Sequence, residues 1–320
     1  MKAIVIREHG GPEVLQLQEV ETPQLAGGDL LIRTHAIGLN YIDTYHRTGA
    51  YPMPLPFIPG RDGAGVVEAV GSDVVGFAVG DRVAWPFAPA SYAEFVAVNA
   101  TSVVAIPDDI SFDVATAAML QGMTAHYLIN STFEVGPEHT VLIHAAAGGV
   151  GQLLVRMAHL KGARVIATVS TDAKAEIARA AGADFVVRYD QPDWAAEINA
   201  ISAGVDVVYD GVGATTFDVS LASLRPRGMM VLFGAASGPV PDFDLQRLNS
   251  GGSLFITRPT LGNYIATQDE MQWRASEIFE LIANGDLTIN VGAHFALADA
   301  AAAHIALESR KTTGKIILQP

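Results

Sequence analysis

The segment Val141-Leu142-Ile143-His144-Ala145-Ala146-Ala147-Gly148-Gly149-Val150-Gly151-Gln152-Leu153-Leu154 joins a short apolar run, a cluster of small residues and an amphipathic continuation. That order reads as strand, tight turn and helix. Small residues in such a turn let backbone N–H groups approach a pyrophosphate at the helix N-terminus, where unpaired donors and the helix dipole favour an anion. The usual pattern is Gly-x-Gly-x-x-Gly. Here the frame is Ala146, Gly148 and Gly151, with Gly149 added and the first glycine absent. Alanine suits position 146 only if the turn needs no positive φ there. The reading makes Gly148, Gly149 and Val150 phosphate contacts; the alternative is a small-residue turn that packs helix on strand with no ligand.

A unit of this kind that prefers NADH carries Asp or Glu at the tip of its second strand. The run Arg164-Val165-Ile166-Ala167-Thr168-Val169 ends without one and continues Ser170-Thr171-Asp172-Ala173-Lys174. Ser170 and Lys174, with Arg188 and Tyr189 at the end of the next strand, can surround a 2′-phosphate, so NADPH is favoured. The competing readings are a solvated surface lysine at 174 and a helix N-cap at Asp172.

These residues need a framework to hold them. Up to about residue 120, short β-rich runs alternate with turns: Lys2–Arg7, Leu30–Ile37, Gly63–Val70, Asp81–Ala84 and Ala93–Val98. From there to 257, apolar strands at 141–144, 164–169, 185–187, 205–209 and 229–233 alternate with helical stretches, which implies a doubly wound parallel sheet. A helix over Gln268–Ala283 and a last strand, Gly314–Leu318, are expected to return to the first region.

Composition bounds the chemistry. The chain has 320 residues and no cysteine, which excludes disulfides, thiolate catalysis and Cys-bound zinc. Its nine histidines are scattered, and no His-Glu-x-x-His pair occurs, so no metal site is expected. A formal net charge of −14 disfavours nucleic acid as a primary partner. No apolar stretch reaches the ~18–20 residues of a membrane span. The N-terminal run Met1-Lys2-Ala3-Ile4-Val5-Ile6-Arg7 reads as a first strand rather than a signal peptide, and the expected address is cytoplasmic.

Five segments, in this order, carry a resemblance: Glu8-His9-Gly10-Gly11-Pro12-Glu13-Val14-Leu15, Gly38-Leu39-Asn40-Tyr41-Ile42-Asp43-Thr44-Tyr45, Pro59-Gly60-Arg61-Asp62-Gly63-Ala64-Gly65-Val66-Val67, Val75-Gly76-Phe77-Ala78-Val79-Gly80-Asp81-Arg82-Val83, and the His144 to Gly151 turn described above. The chain resembles the zinc-free medium-chain dehydrogenases/reductases, in the quinone oxidoreductase branch that includes zeta-crystallin. The resemblance implies an α/β chain with a Rossmann doubly wound parallel domain over 123–257 and a GroES-like, mainly β catalytic domain over 1–122 and 258–320. Where the zinc alcohol dehydrogenases carry a Cys ligand and a Gly-His-Glu motif, this sequence has Asn40 and Gly60-Arg61-Asp62. Without a Lewis acid, alcohol oxidation is disfavoured and the acceptor must disperse its own charge, as a quinone or an activated alkene does.

By the same resemblance Asn40, Asp43 and Tyr45 are the catalytic residues, and Tyr41 joins them beside the cofactor. Asn40 as a turn cap, and Tyr41 with Tyr45 as packing on one helical face, are the structural alternatives. Thr124, the turn Phe233-Gly234-Ala235-Ala236-Ser237, the stretch Thr257-Arg258-Pro259 and Arg310 match further cofactor contacts. The implied activity is NADPH-dependent reduction of a quinone or other planar electrophile. The alternatives are reduction of enone double bonds, or a low-turnover NADPH-binding protein of the crystallin type. The strands Met229–Phe233 and Ser253–Thr257 are apolar enough that an exposed edge would pair with a second copy, so a homodimer is expected.

Overall fold

A computed structural model describes residues 1–320. Its strands, in chain order, are β1 Lys2–Val5, β2 Gln16–Glu19, β3 Asp29–Leu39, β4 Asp62–Val70, β5 Arg82–Trp85, β6 Phe95–Asn99, β7 Val104–Ala105, β8 Thr140–Ile143, β9 Arg164–Val169, β10 Phe185–Arg188, β11 Val205–Asp210, β12 Leu224–Leu232, β13 Phe255–Thr257, β14 Val291–Ala296 and β15 Lys315–Gln319. The chain divides into two units: Met1–Met123 with Ile265–Pro320, and Thr124–Tyr264.

The first unit is built around β3. Its sheet runs β14-β15-β3-β4-β5-β7, and β6 also pairs with β3. All these ladders are antiparallel except β14 with β15. Side chains alternate faces along a strand, so β3 serves two cores. Leu30 and Ile32 pack with Val67, Val83, Trp85, Val96 and Val98, whereas Ile37 and Leu39 pack with Ile4, Ile6, Tyr92, Ile316 and Leu318. Burial of each such side chain contributes about 1.5–3 kcal/mol relative to exposure. A Cβ at Gly65 would lie 2.1 Å from the Arg33 carbonyl, so glycine there lets β3 and β4 run close beside their register shift at Thr34/Ala36.

The second unit is a six-stranded, all-parallel sheet in the order β10-β9-β8-β11-β12-β13. Counted from β8 this is 3-2-1-4-5-6, the doubly wound order that opens a ligand crevice where the winding reverses. The reversal lies between β8 and β11, and the small-residue segment after β8 stands at that point. Helices Gly149–Leu160, Asp172–Ala181, Trp194–Ile201 and Phe217–Ala222 make the crossovers. They cover both faces, which is why the strands are continuous apolar runs: Leu142, Ile166, Val187, Val208 and Met230 share one core.

Strand β9 and the helix Gln268–Ala283 lie where the sequence places them. Others differ for physical reasons. Strand β12 starts at Leu224, five residues ahead of the apolar run, because it passes through Pro226 and Gly228, and Arg227 has φ 62°. It is also an interior strand; of the two apolar strands expected to offer an edge, only β13 ends the sheet. Strand β2 has Leu17 as its one apolar residue, β7 is only two residues long, and β14 is interrupted by Gly292 and His294, so none of them announces itself in the sequence.

Candidate functional site

The dinucleotide end of the second unit is shaped by its backbone. The helix after β8 begins at Gly149, and its N-cap Gly148 supplies no side-chain hydrogen bond, so the first-turn amides keep their capacity for an anion. The left-handed residue of the turn is Ala145, with φ 51°; Ala146 lies outside that region, and its N–H donates to the Thr168 carbonyl at 3.1 Å. The missing first glycine is thereby accounted for. Gly151 is obligatory: a Cβ would sit 2.3 Å from the Ala145 carbonyl oxygen.

Beneath this turn lies a buried polar network. Thr216 and Ser220 hydroxyls donate to Asp210 Oδ2 at 2.7 and 2.8 Å, and the amides of Val212 and Gly213 donate to Asp210 Oδ1. With the Ser220 proton so committed, its oxygen accepts from His144 Nε2 at 3.0 Å, and His144 Nδ1 accepts from the Thr168 hydroxyl at 2.8 Å. Burial lowers the His144 pKa, while Asp210 pulls it the other way. The neutral ring ties β8, β9 and β11 together and fixes the loop after β11. The turn after β12 packs on that loop: Gly234 approaches Gly211 so closely that a Cβ would lie 2.4 Å from the Gly211 carbonyl oxygen, the Phe233 ring lies over Gly211, and the Ser237 hydroxyl donates to the Val212 carbonyl at 2.8 Å.

At the tips of β9 and β10 the structure brings Ser170, Lys174 and Tyr189 to one end. Lys174 Nζ lies 3.5 Å from Ser170 Oγ, and Tyr189 N–H donates to Val169 at 3.0 Å. Arg188 is engaged elsewhere: its guanidinium pairs with Asp172 at 2.5 Å and Asp190 at 2.6 Å, and those bonds hold its pKa above the usual arginine value. Thr171, not Asp172, is the N-cap of the next helix and accepts from the Lys174 amide. Thr124 is buried at the start of this unit.

In the first unit the ends of three strands converge. Asn40 follows β3, Asp62 opens β4 and Lys315 opens β15. Lys315 Nζ donates to Asp62 Oδ2 at 2.7 Å and to Asn40 Oδ1 at 2.8 Å; Asn40 Nδ2 donates to Asp62 Oδ1 at 2.7 Å and to the Gly38 carbonyl at 3.4 Å. Gln121 Nε2 adds a donor to Asn40 Oδ1 at 3.4 Å. Lys315 is 1% exposed and Asp62 0%, so this is a buried ion pair. A Cβ on Gly38 would lie 2.4 Å from Asp62 Oδ1 and 2.5 Å from Lys315 Nζ, which makes Gly38 the space the pair occupies. Both ends of the Asn40 amide are filled by protein partners.

Asp43 starts a second chain. Its Oδ2 accepts from the Asn40 amide at 2.9 Å and from the Tyr92 hydroxyl at 3.2 Å, while Oδ1 has no partner. Arg47 can only donate, so His304 Nδ1 accepts from it at 3.0 Å, His304 Nε2–H donates to Tyr92 Oη at 3.2 Å, and Arg47 closes the chain with Glu308 at 2.8 Å. Burial pushes Asp43 up to about 7 and His304 down to about 3. Tyr41 Oη donates to the Leu307 carbonyl at 3.1 Å, Tyr45 stands 5.2 Å from Tyr51 ring to ring, and Arg310 has φ 57° after the helix Ala300–Glu308.

Two family models match this chain: the alcohol dehydrogenase GroES-like domain over 26–108 and the zinc-binding dehydrogenase domain over 149–279. A quinone oxidoreductase of Pseudomonas aeruginosa is 44% identical, with 100% of this chain and 99% of that protein covered. The chain belongs to the quinone oxidoreductases of the medium-chain dehydrogenase/reductase superfamily. The Escherichia coli quinone oxidoreductase, solved in complex with NADPH, superposes with a TM-score of 0.98 at 41% identity over 100% of both chains. A 2-haloacrylate reductase of a Burkholderia species is 41% identical, with 99% of this chain and 98% of that protein covered.

The zinc in one family model's description does not fit these residues. No group of three His, Cys, Asp or Glu side chains stands ready to hold a metal, there is no cysteine, and the Asp62 carboxylate is neutralised by an ammonium. Sequence reading missed Lys315, Tyr92, Arg47 and His304. A lysine heading the apolar strand Lys315-Ile316-Ile317-Leu318 was the one available signal.

Breaking a buried pair leaves an uncompensated charge, so Lys315→Met should lower the unfolding free energy of the first unit by about 3–5 kcal/mol in urea titrations, and adding Asp62→Asn should recover part of it. A second prediction concerns pH. Folded Asp43 keeps its proton up to about 7, whereas an unfolded aspartate loses it near the ordinary value of 3.8. The folded chain therefore holds the extra proton in between, and the contribution is full below pH 4 and lost as pH rises to 7. The stability of Asp43→Asn relative to the parent should rise by roughly 2–4 kcal/mol across that window. His46 and His304, both lowered by burial, act with the opposite sign but equally in both chains, and cancel in the difference. A flat difference would contradict the assignment.

Proposed function

We propose that the protein is a zinc-independent, NADPH-dependent quinone reductase. The observation that carries this is the full-length similarity to quinone oxidoreductases, one of them solved with NADPH. The dinucleotide is assigned to residues 123–257 and the acceptor to 1–122 with 258–320.

Gly148, Gly149 and Val150 would hold the pyrophosphate at the helix N-terminus. Ser170, Lys174 and Tyr189 would hold the 2′-phosphate; with Arg188 committed to two carboxylates, the lysine is the cation for that role. Phe233, Gly234 and Ser237 would bracket the nicotinamide riboside, and Thr124, Tyr41 and Arg310 are kept as further contacts. When bound, NADPH supplies the hydride. The chain's own task is orientation and exclusion of water, since a quinone spreads the arriving charge over its ring and oxygens. Tyr45 serves as an aromatic wall. Asn40 acts through the network that holds it, and Asp43 contributes a buried carboxyl titrating near neutrality.

Reduction of an activated carbon–carbon double bond is the second reading, favoured by the similarity to a 2-haloacrylate reductase, whose named substrate is an anionic alkene. The free edge of β13, with Phe255 56% exposed, supports a homodimer. A cytoplasmic location goes with the reading, because NADPH is kept reduced there.

The test is NADPH oxidation with 1,4-benzoquinone, 9,10-phenanthrenequinone and small enones. Quinone turnover at least tenfold above enone turnover supports the first reading, and the reverse supports the second. Lys174→Glu should raise the Kd for NADPH at least tenfold more than that for NADH, since it reverses a charge facing the 2′-phosphate. Equal losses would place Lys174 outside that pocket.

A further inference from the structure

Arg61 carries a positive charge that the first unit does not neutralise. Its backbone is pinned: the Arg61 carbonyl accepts from Ala88 N–H at 2.7 Å, Tyr92 N–H donates to the Pro59 carbonyl at 3.0 Å, and Gly60, at φ 94°, leaves room for the Tyr92 ring. The side chain is half-buried, with Cζ 5.0 Å above the Phe87 ring centre and Nη2 3.4 Å from His46 Nε2 and 3.8 Å from Met53 Sδ. None of these is an anion. The buried arginines Arg47 and Arg274 of the same unit each have a glutamate, Glu308 and Glu270, but no carboxylate lies within ion-pair distance of Arg61.

The surroundings are aromatic and neutral. His46 is pushed down to about 4, first by burial and then by Arg61, so it presents no competing charge near pH 7. Its ring lies 6.2 Å from Tyr51, which is 5.2 Å from Tyr45. Burial works against the charge of Arg61, and Asp43 works for it. A rigidly mounted guanidinium that has lost part of its water and gained no counter-ion offers its planar fork to an incoming anion. Flat rings beside it suit a planar body attached to that anion.

We propose that Arg61 is a specificity residue that selects acceptors bearing a fixed anionic group, a carboxylate or sulfonate, on the conjugated ring or alkene. The proposal rests on the quinone-reductase reading and deepens it by naming the substrate class. Hydrogen bonds to a charged group contribute about 1.5–3 kcal/mol, roughly 10- to 100-fold in an equilibrium or rate ratio.

The experiment compares kcat/KM for 1,2-naphthoquinone-4-sulfonate with that for 1,2-naphthoquinone, which share the ring and differ in charge. Arg61→Gln should lower the sulfonate-to-neutral ratio about 10- to 100-fold, and Arg61→Lys, which keeps the charge and loses the fork, should fall between. An unchanged ratio in Arg61→Gln overturns the proposal whatever happens to the absolute rates, as does a parent enzyme that turns over the neutral quinone and not the sulfonate. Failure of the parent on both quinones would sink the quinone-reductase reading instead. Should the variants not fold, the parent still decides: naphthalene-2-sulfonate must inhibit competitively against neutral quinone and not against NADPH, and naphthalene must be the weaker inhibitor.

Discussion

Burying charge without water is the constraint that shapes the first unit. An ion taken from water costs several kcal/mol unless it finds a partner and its remaining hydrogen bonds. Lys315 and Asp62 meet that condition through each other and through Asn40, and Arg47 meets it through Glu308 and His304. The Lys315 contacts join the ends of β3, β4 and β15, so the place where the strands converge is fixed by electrostatics as well as by packing. Against this background Arg61, with no counter-ion, and Asp43, with an unpartnered oxygen, stand out among the groups the fold has not satisfied for itself.

The second unit solves a different problem. Its apolar strands are covered on both faces, so anion-binding capacity survives only at strand ends, where backbone amides emerge. His144, Thr168, Ser220 and Asp210 spend all their hydrogen bonds on one another and on the loop after β11. They hold the loops still; a network closed in this way has nothing left with which to touch a ligand. The group with capacity to spare is the backbone of the first helical turn after β8, whose N-cap brings no side-chain hydrogen bond.

The doubly wound order was legible because continuous apolar runs at regular spacing admit few other arrangements, and the Gly148–Gly151 turn was legible because close backbone approach demands small residues. The charged interior was not. A sequence shows Lys315 and Asp62 as residues 253 apart, and only the antiparallel pairing of β3 with both β4 and β15 brings them to one place. The same blindness applied to Asn40. Its type suggests an available amide, and the structure shows that amide filled from both ends. Arg188 is the parallel case in the second unit, where two nearby aspartates claim a guanidinium that the sequence offers to a phosphate.

The chain Arg47, His304, Tyr92, Asp43 looks like a route for protons into the interior, and its donor directions argue otherwise. A relay needs every link to accept one proton and release another. The Arg47 guanidinium offers donors and no acceptor, and His304, lowered to about 3, does not take up a second proton. Each hydrogen bond therefore points inward permanently and ends on Asp43 Oδ2. Such a chain polarises and positions the carboxyl without replenishing it. Asp43 is therefore a site that holds a proton near neutral pH and not the terminus of a wire.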